Sequence, residues 1–207
     1  MPSFYERHVL PHVINCACGA KPIRYQRRKV VPRASGKVLE LGIGGGRNLV
    51  FYDPSQVESV TGVDPSEGLR RKAVEAPRPD GLNVEVGDGV AEALPFENGA
   101  FDTVVCTFTL CSVRAPAEAL AEARRVLKPG GVFLFSEHGL SPDADVQRWQ
   151  RRLEPIWKPL AGGCHLTRPV GSSIAGAGFE LIEHETMYLP GTPRPLGWAE
   201  WGLARPA

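Results

Sequence analysis

The stretch KVLELGIGGGRNLVFY, residues 37–52, decides the fold. Its apolar beginning, KVLEL, predicts a buried strand. The glycines of GIGGG predict a sharp turn that brings the backbone close to a ligand, because glycine adopts positive φ freely. A helix is predicted from about Arg47 to Tyr52, and the start of a helix presents unpaired N–H groups. A strand, a glycine loop and a helix in succession indicate an α/β fold.

Downstream of this loop, strands and helices continue to alternate. Strands are predicted in VESVTGVD, LNVEVGD, FDTVVCTF and GVFLFSEH, and helices in APAEALAEARRVL and from Ser66 to Glu75. Such alternation builds a parallel sheet with helices on both faces. FELIEHETMYL and GWAEWGLARP, separated by the turn-rich PGTPRP, predict an antiparallel hairpin at the sheet edge. The sequence therefore predicts a doubly wound, seven-stranded and mostly parallel sheet with an antiparallel C-terminal hairpin.

Two segments stand outside this alternation. Residues 1–35 are predicted to form an N-terminal helical cap, with helices at 3–16 and 22–33. The second helix carries three arginines at spacings that share one face, which we interpret as solvated: Arg24, Arg27 and Arg28. Residues 141–163 are predicted to form a helical insertion that acts as a lid. The aromatic and imidazole side chains expected to enclose a ligand beneath these segments are Phe4, Tyr5, His8, Trp149 and Trp157.

Length and charge limit the class of protein. The chain has 207 residues with 24 Lys plus Arg, 23 Asp plus Glu and 43% hydrophobic residues, which suits a single domain over residues 1–207. A net charge of +1 gives no long-range field for nucleic acid, so no such partner is expected. No run approaches the roughly 18 apolar residues of a transmembrane segment, and the opening MPSFYERHVLPHVI is too charged for a signal peptide. These features predict a cytoplasmic protein.

The cysteines predict neither disulfides nor a metal site. Five of them, an odd number, are scattered as Cys16, Cys18, Cys106, Cys111 and Cys164. This distribution fits a reduced compartment better than a disulfide framework. The close pair Cys16-x-Cys18 lacks both the usual gap between cysteine ligands and a second ligand pair. Cys111 and Cys164 are interpreted as packing residues.

Glycine and acidic residues follow the first three predicted strands, where the ligand of a doubly wound sheet binds. The dinucleotide pattern G-x-G-x-x-G would need a third glycine, but that position falls on Arg47 or Leu49. Asp64, at the end of the second strand, is placed to accept hydrogen bonds from both ribose hydroxyls. Asp88 ends the third strand between two glycines and is predicted to hold an adenine amino group, although a turn-forming role is the alternative.

The pattern E-x-G-x-G-x-G resembles that of Rossmann-like (class I) S-adenosylmethionine-dependent methyltransferases. This resemblance covers about Lys37 to Glu137 and includes RVLKPGGVFLF at residues 125–135. It implies S-adenosylmethionine as the cofactor and S-adenosylhomocysteine as the product. The cofactor-binding residues predicted from these loops and this resemblance are Glu40, Gly42, Gly44, Asn48, Asp64, Pro65, Gly87, Asp88, Gly89, Val90 and Thr107.

Three further segments resemble the methyltransferase-like thiol S-methyltransferases, also called alkyl thiol methyltransferases. These segments are VVCTFTLCSV at 104–113, SEH at 136–138 and LEPIWKPLAGGCHLTR at 153–168. The resemblance implies methyl transfer to a small molecule, with a thiol as the specific prediction. Those animal enzymes begin with a hydrophobic membrane-binding segment, whereas this chain begins with the charged SFYERHVLPHVI, so membrane residence does not carry over.

Glu137 and His138 are the candidate catalytic residues, because they end the fifth predicted strand beside the expected methyl position. Methyl transfer from a sulfonium mainly requires alignment of donor and acceptor. His138 is predicted to accept a proton or orient the acceptor, with Glu137 positioning it or the substrate. The alternative is that His138 hydrogen-bonds locally and shapes the loop.

Other functions remain open at this point. An amine or a phospholipid head group is the alternative acceptor. A nicotinamide-dependent oxidoreductase uses the same kind of sheet, although the missing third glycine disfavours it. A non-enzymatic sensor of S-adenosylmethionine would keep the nucleotide loops but lack an acceptor pocket.

Overall fold

Seven strands form a single sheet in the computed structural model, which describes residues 4, 5 and 9–207. The strands are β1 (Gly36–Leu41), β2 (Val57–Val63), β3 (Val84–Gly87), β4 (Phe101–Thr107), β5 (Leu127–His138), β6 (Phe179–Tyr188) and β7 (Trp198–Pro206). Their order across the sheet is β3-β2-β1-β4-β5-β7-β6. The first five strands run parallel, and β7 pairs antiparallel with both β5 and β6. The predicted fold, including the antiparallel hairpin at the sheet edge, is confirmed.

Helices cover both faces of the sheet. They are α1 (Leu10–Ala17), α2 (Lys21–Val30), α3 (Glu67–Glu75), α4 (Pro116–Val126), α5 (Ala144–Leu160), α6 (Val170–Gly176) and the single turn α7 (Arg194–Gly197). The helix predicted over 3–16 lies partly outside the described residues, and its described part is α1. The short helix α6 was not predicted from the sequence. Within residues 4, 5 and 9–207, no helix combines the length and the apolar character needed to cross a membrane.

The core has two parts, one on each face of the sheet. Successive strand residues point to opposite faces. Leu39 and Val104 therefore join one apolar cluster, which includes the inner side of α4. Val38 and Val105 join the other cluster, which includes the end of α2 and residues of α3. Because both faces are covered, the central strands are apolar along nearly their whole length, as parallel strands usually are.

The prediction of a helix from Arg47 to Tyr52 is wrong. A 3₁₀ turn at Leu49–Phe51 takes its place, with the N–H of Phe51 donating to the carbonyl of Asn48 at 2.8 Å. Tyr52 is already extended, and the following Pro54 disfavours helical backbone at Asp53. The chain therefore leaves the glycine loop through a tight turn and reaches β2 directly.

Candidate active site

A cavity of about 1710 Å³ lies at the carboxyl ends of the parallel strands. Its floor comes from the loops that follow β1, β2 and β3 and from the end of β4 with its following loop. One side is covered by α1, through Leu10 and Ile14, by the end of α5, through Leu160, and by the following loop, through Gly163. This is where ligands bind in doubly wound sheets, because the connecting loops diverge at a switch in strand order.

The structure brings most of the predicted cofactor residues to this cavity. Those that line it are Gly42, Gly44, Asp64, Pro65, Gly89, Val90 and Thr107. Glu40 and Asn48 lie buried beneath the glycine loop. Gly87 and Asp88 are not part of the lining.

Gly42 and Gly44 give the first loop its shape. Their φ angles are +65° and +55°, which side chains on L-residues rarely adopt. A Cβ at Gly42 would collide with the side chain of Thr109, whereas a Cβ at Gly44 would point into open space. The loop thus offers bare backbone to the cavity at Gly44.

Asp64 connects the loops that follow β1 and β2, and its carboxylate oxygens can still accept hydrogen bonds from a ligand in the cavity. Its Oδ2 accepts a hydrogen bond from the N–H of Gly44 at 3.0 Å, and its Oδ1 accepts one from the N–H of Ser66 at 2.8 Å. Burial raises the pKa of this carboxyl above its usual value, although the two N–H donors oppose the shift. Each carboxylate oxygen retains a further acceptor site. This arrangement fits the vicinal hydroxyls of a ribose.

A buried polar network supports the glycine loop from beneath. Glu40 is 1% exposed and accepts hydrogen bonds from Asn48 Nδ2 at 2.9 Å and from the Tyr52 hydroxyl at 2.7 Å. Burial raises the pKa of Glu40 to about 7, against the effect of these donors. Asn48 Nδ2 also donates to Thr107 Oγ1 at 3.0 Å. Glu40 and Asn48 therefore fix the loop relative to β1 and β4 without reaching the cavity.

Arg27 is a site residue that the sequence analysis missed. Its side chain is 5% exposed, donates to Asn48 Oδ1 at 2.7 Å and to Thr107 Oγ1, and lines the cavity. Its Nε is buried without a hydrogen-bond partner in the part of the chain that the structure describes. The expectation that Arg27 lies on a solvated face was wrong, and the apolar neighbours Ile23 and Val30 at helical spacing were the overlooked signal.

Asp88 lies at the rim and not in the cavity. Its carboxylate forms an ion pair with Arg70 at 2.7 Å, and its side chain is 75% exposed. The same guanidinium nitrogen donates to the backbone carbonyl of Asp64 at 2.7 Å. A role of Asp88 toward the adenine amino group therefore stays a prediction.

Glu137 and His138 lie next to the cavity wall. Glu137 is fully buried, and its Oε1 accepts from the N–H of Thr109 at 2.8 Å. Burial raises the pKa of Glu137 to about 7. His138 Nε2 lies 2.9 Å from Cys164 Sγ, and neither residue is in the lining. Their catalytic roles stay predictions.

Cys111, in the loop that follows β4, lies close to His138 and Cys164. Cys111 Sγ, His138 Nε2 and Cys164 Sγ all lie within 4.8 Å of one another. A hydrogen bond from Cys164 lowers the pKa of the Cys111 thiol well below its ordinary value. The sequence analysis had treated the two cysteines as separate packing residues, because nothing in the spacing of residues 111 and 164 indicates that they meet.

Contacts between the N-terminal segment and α5 are only partly those expected. Tyr5 lines the cavity, and its hydroxyl donates to the carbonyl of Leu160 at 2.8 Å, so the two segments touch. His8 lies outside the described residues. Trp149 is 55% exposed, and Trp157 donates its indole N–H to Cys164 Sγ at 3.3 Å. Of the side chains expected to enclose the ligand, only Tyr5 is in the described lining, beside aliphatic residues such as Leu10 and Leu160.

Comparison with known proteins identifies the family. A family model described as a methyltransferase domain matches residues 39–135. Thiol S-methyltransferase TMT1B of Homo sapiens is 37% identical over 187 residues, which are 86% of this chain and 72% of the human protein. The Rattus norvegicus protein of the same name is 37% identical over 172 residues, 80% of this chain and 66% of the rat protein. The chain belongs to the thiol S-methyltransferase family.

The solved structure of an S-adenosylmethionine-dependent methyltransferase from Thermotoga maritima shares the fold of this family member. Its TM-score is 0.64 at 24% sequence identity, and the match covers 96% of each chain. As a member of the thiol S-methyltransferase family with a methyltransferase domain over residues 39–135, this chain is an S-adenosylmethionine-dependent methyltransferase, which sets aside both the nicotinamide-dependent oxidoreductase and the non-enzymatic sensor. The glycine loop, Asp64 and the open space at Gly44 fit this cofactor.

Proposed function

We propose that this enzyme methylates the sulfur of a small-molecule thiol. The observation that carries the proposal is the 37% identity to a thiol S-methyltransferase across 86% of the chain. The similarity extends beyond residues 39–135, the part matched by the methyltransferase domain model. The end of α5, which lines the acceptor side of the cavity through Leu160, lies in this additional part.

The residues that would hold S-adenosylmethionine belong to the first three loops. Backbone at Gly42 and Gly44 would lie along the cofactor, Asp64 would accept hydrogen bonds from its ribose, and Pro65 and Val90 would contact its adenosine. When bound, the cofactor supplies an electrophilic methyl group on a sulfonium. Arg27, Asn48 and Glu40 would act indirectly, by holding the glycine loop in place.

The acceptor would enter between α1 and the loop that follows β4. Ile14, Leu160 and Val113 offer apolar surface there, and Ser112 and Gly163 form the wall beside His138 and its neighbouring cysteines. Apolar lining excludes water from a displacement reaction. A thiol of ordinary pKa near 8.5 is already partly ionised at neutral pH, so alignment accounts for most of the required catalysis. We propose that His138, which lies behind this wall, orients the acceptor indirectly by holding Cys164 in place.

A matched pair of acceptors tests the proposal. The enzyme is incubated with S-adenosylmethionine labelled in its methyl group and with either 2-mercaptoethanol or ethanolamine, which differ only in sulfur against nitrogen. We expect labelled thioether from the thiol and much slower transfer to the amine. Preferential methylation of ethanolamine, or of a lipid that carries this head group, would replace the thiol with the alternative acceptor. Asp64→Ala, which is expected to lose cofactor affinity, is the background control.

The proposal also concerns the compartment of the enzyme and the class of substrate that it does not use. We propose a cytoplasmic enzyme without a nucleic-acid substrate, supported by five free cysteines and by a formal net charge of +1. A thiol substrate is also kept reduced in such a compartment.

A further inference from the structure

Three side chains with soft or borderline donor atoms converge beside the cavity. Cys111 Sγ, His138 Nε2 and Cys164 Sγ lie within 4.8 Å of one another. Both cysteines are buried, at 3% and 7% exposure, and His138 is half-buried. They come from the loop after β4, the last residue of β5 and the loop after α5. The fold thus collects two sulfurs and one imidazole nitrogen from segments far apart in sequence.

We propose that Cys111, His138 and Cys164 form a binding site for a zinc-like divalent metal ion. Thiolate and imidazole are the donors that zinc prefers, and two cysteines with one histidine are a known ligand set for a zinc ion that keeps a fourth position for a small ligand. Carboxylate-rich or carbonyl-rich surroundings would instead suit calcium or magnesium.

The distances suit such an ion with little adjustment. Zinc–sulfur bonds of about 2.3 Å and zinc–nitrogen bonds of about 2.0 Å place tetrahedral donors roughly 3.5 to 3.8 Å apart. The donor atoms here lie within 4.8 Å, and the pair His138 Nε2 and Cys164 Sγ, now 2.9 Å apart, would open by about 0.6 Å. A pair at the 4.8 Å limit would close by about 1 Å, so the donor atoms adjust by about an ångström or less.

Surrounding hydrogen bonds fix the cysteine-bearing loops to each other. The N–H of His165 donates to the carbonyl of Cys111 at 2.8 Å, which ties the two loops directly together. Trp157 donates its indole N–H to Cys164 Sγ at 3.3 Å. An N–H donor on a ligand sulfur holds its orientation and is typical of the outer shell of metal sites.

Two charged side chains also form hydrogen bonds with the backbone of these loops. Arg168 donates to the backbone carbonyls of Leu110 and of Val113, the latter at 2.6 Å, on both sides of Cys111.

Glu154 Oε2 accepts from the N–H groups of Leu166 and Thr167 at 2.8 and 2.9 Å, just after Cys164. Preorganised ligands of this kind favour metal binding because little ordering is left to do.

Cobalt(II) titration tests the site without depending on methyl transfer. The full chain is reduced with a phosphine, freed of metal by a chelator and titrated anaerobically. We expect thiolate-to-cobalt charge-transfer absorption and the visible bands of a tetrahedral ion, saturating at one equivalent, and zinc should displace the cobalt. Absence of these bands in the folded chain would overturn the proposal.

Variants and alkylation assign the ligands. Cys111→Ser and Cys164→Ser should each weaken cobalt binding by at least about tenfold, whereas Cys16→Ser and Cys18→Ser should bind as the unaltered chain does. Bands that persist in the first pair, or disappear in the second, would contradict the assignment. If the serine variants do not fold, the unaltered chain still decides: bound zinc must protect Cys111 and Cys164, and not Cys16, from iodoacetamide. Equal rates of alkylation of Cys111 and Cys164 with and without zinc would also refute the site.

Discussion

At the scale of single residues, two carboxylates at the ends of neighbouring strands have opposite surroundings. Asp64 is 7% exposed and faces the cavity, whereas the side chain of Asp88 is 75% exposed and paired with Arg70. A charged acceptor in a partly enclosed site contributes more to binding than an ion pair in water does. The two residues therefore form a natural comparison.

We expect Asp64→Ala to weaken the binding of S-adenosylmethionine by about 1 to 3 kcal/mol, or roughly 5- to 150-fold, because the ribose hydroxyls lose a charged acceptor. Asp88→Ala should change the affinity by less than about 1 kcal/mol. Isothermal titration calorimetry on folded variants measures both. A larger effect at Asp88 would show that its side chain leaves Arg70 and reaches the adenine.

Alanine substitutions at two glycines distinguish the effect of backbone strain from the effect of a side chain that obstructs the cavity. Gly44 and Gly81 have φ angles of +55° and +81°, and a Cβ at either would meet little or nothing within 4 Å. Alanine should destabilise the fold at both positions by about 1 to 2 kcal/mol, because a side chain is strained at positive φ. Only Gly44→Ala places a methyl group in the cavity, so only this variant should lose cofactor affinity, by about tenfold or more. Equal affinity in both variants would mean that the glycine loop does not contact the cofactor.

At the scale of secondary-structure elements, a buried arginine connects α2 to the glycine loop and to the end of β4. Arg27 donates to Asn48 and Thr107, whereas Arg28, the next residue, is exposed. We expect Arg27→Ala to lower the free energy of unfolding by about 2 to 4 kcal/mol, because the buried acceptors of Asn48 and Thr107 lose a charged donor. Arg28→Ala should change it by no more than about 0.5 kcal/mol. Urea denaturation measures both, and similar losses would mean that the network around Arg27 does not hold the helix.

The role of α1 as a cover is tested by two neighbouring residues. Ile14 lines the cavity, whereas Val13 is 45% exposed. Ile14→Ser should raise the KM for the thiol by about tenfold through the loss of apolar contact, with little change in the Kd for the cofactor. Val13→Ser should alter neither constant.

Deletion of residues 1–16 extends this test to the whole segment. We expect the truncated chain to bind the cofactor but to turn over slowly. Full turnover of a small thiol by the truncated chain, or an unchanged KM in Ile14→Ser, would exclude α1 from the acceptor site.

At the scale of the whole molecule, we predict one cooperative unfolding transition for residues 1–207. The end of α2 packs in the same core as the strands, and β7 ties the C-terminal hairpin to β5. Far-ultraviolet circular dichroism and tryptophan fluorescence should therefore give coincident curves. S-adenosylmethionine at a hundred times its Kd should add about 2.7 kcal/mol to the stability. A separate early transition of the helices would divide the chain into two units.

Local sequence signals were sufficient to predict the sheet and the nucleotide loops. Alternation of apolar strands with helices predicted a doubly wound, mostly parallel sheet, and the glycines placed a tight loop after β1 because few other residues adopt positive φ. Asp64 was found because the end of a parallel strand fixes where its next residue lies. These features depend on contacts within a few residues or on the regular geometry of the sheet.

Only the tertiary structure decided which side chains meet. In the folded chain, Arg27 is buried and Asp88 forms an ion pair with Arg70. Cys111 and Cys164, from separate loops, lie beside His138. The sequence alone determined that this chain folds as a nucleotide-binding α/β domain of the methyltransferase kind. The convergence of loop side chains depends on how distant segments pack against each other, and no local periodicity encodes that packing.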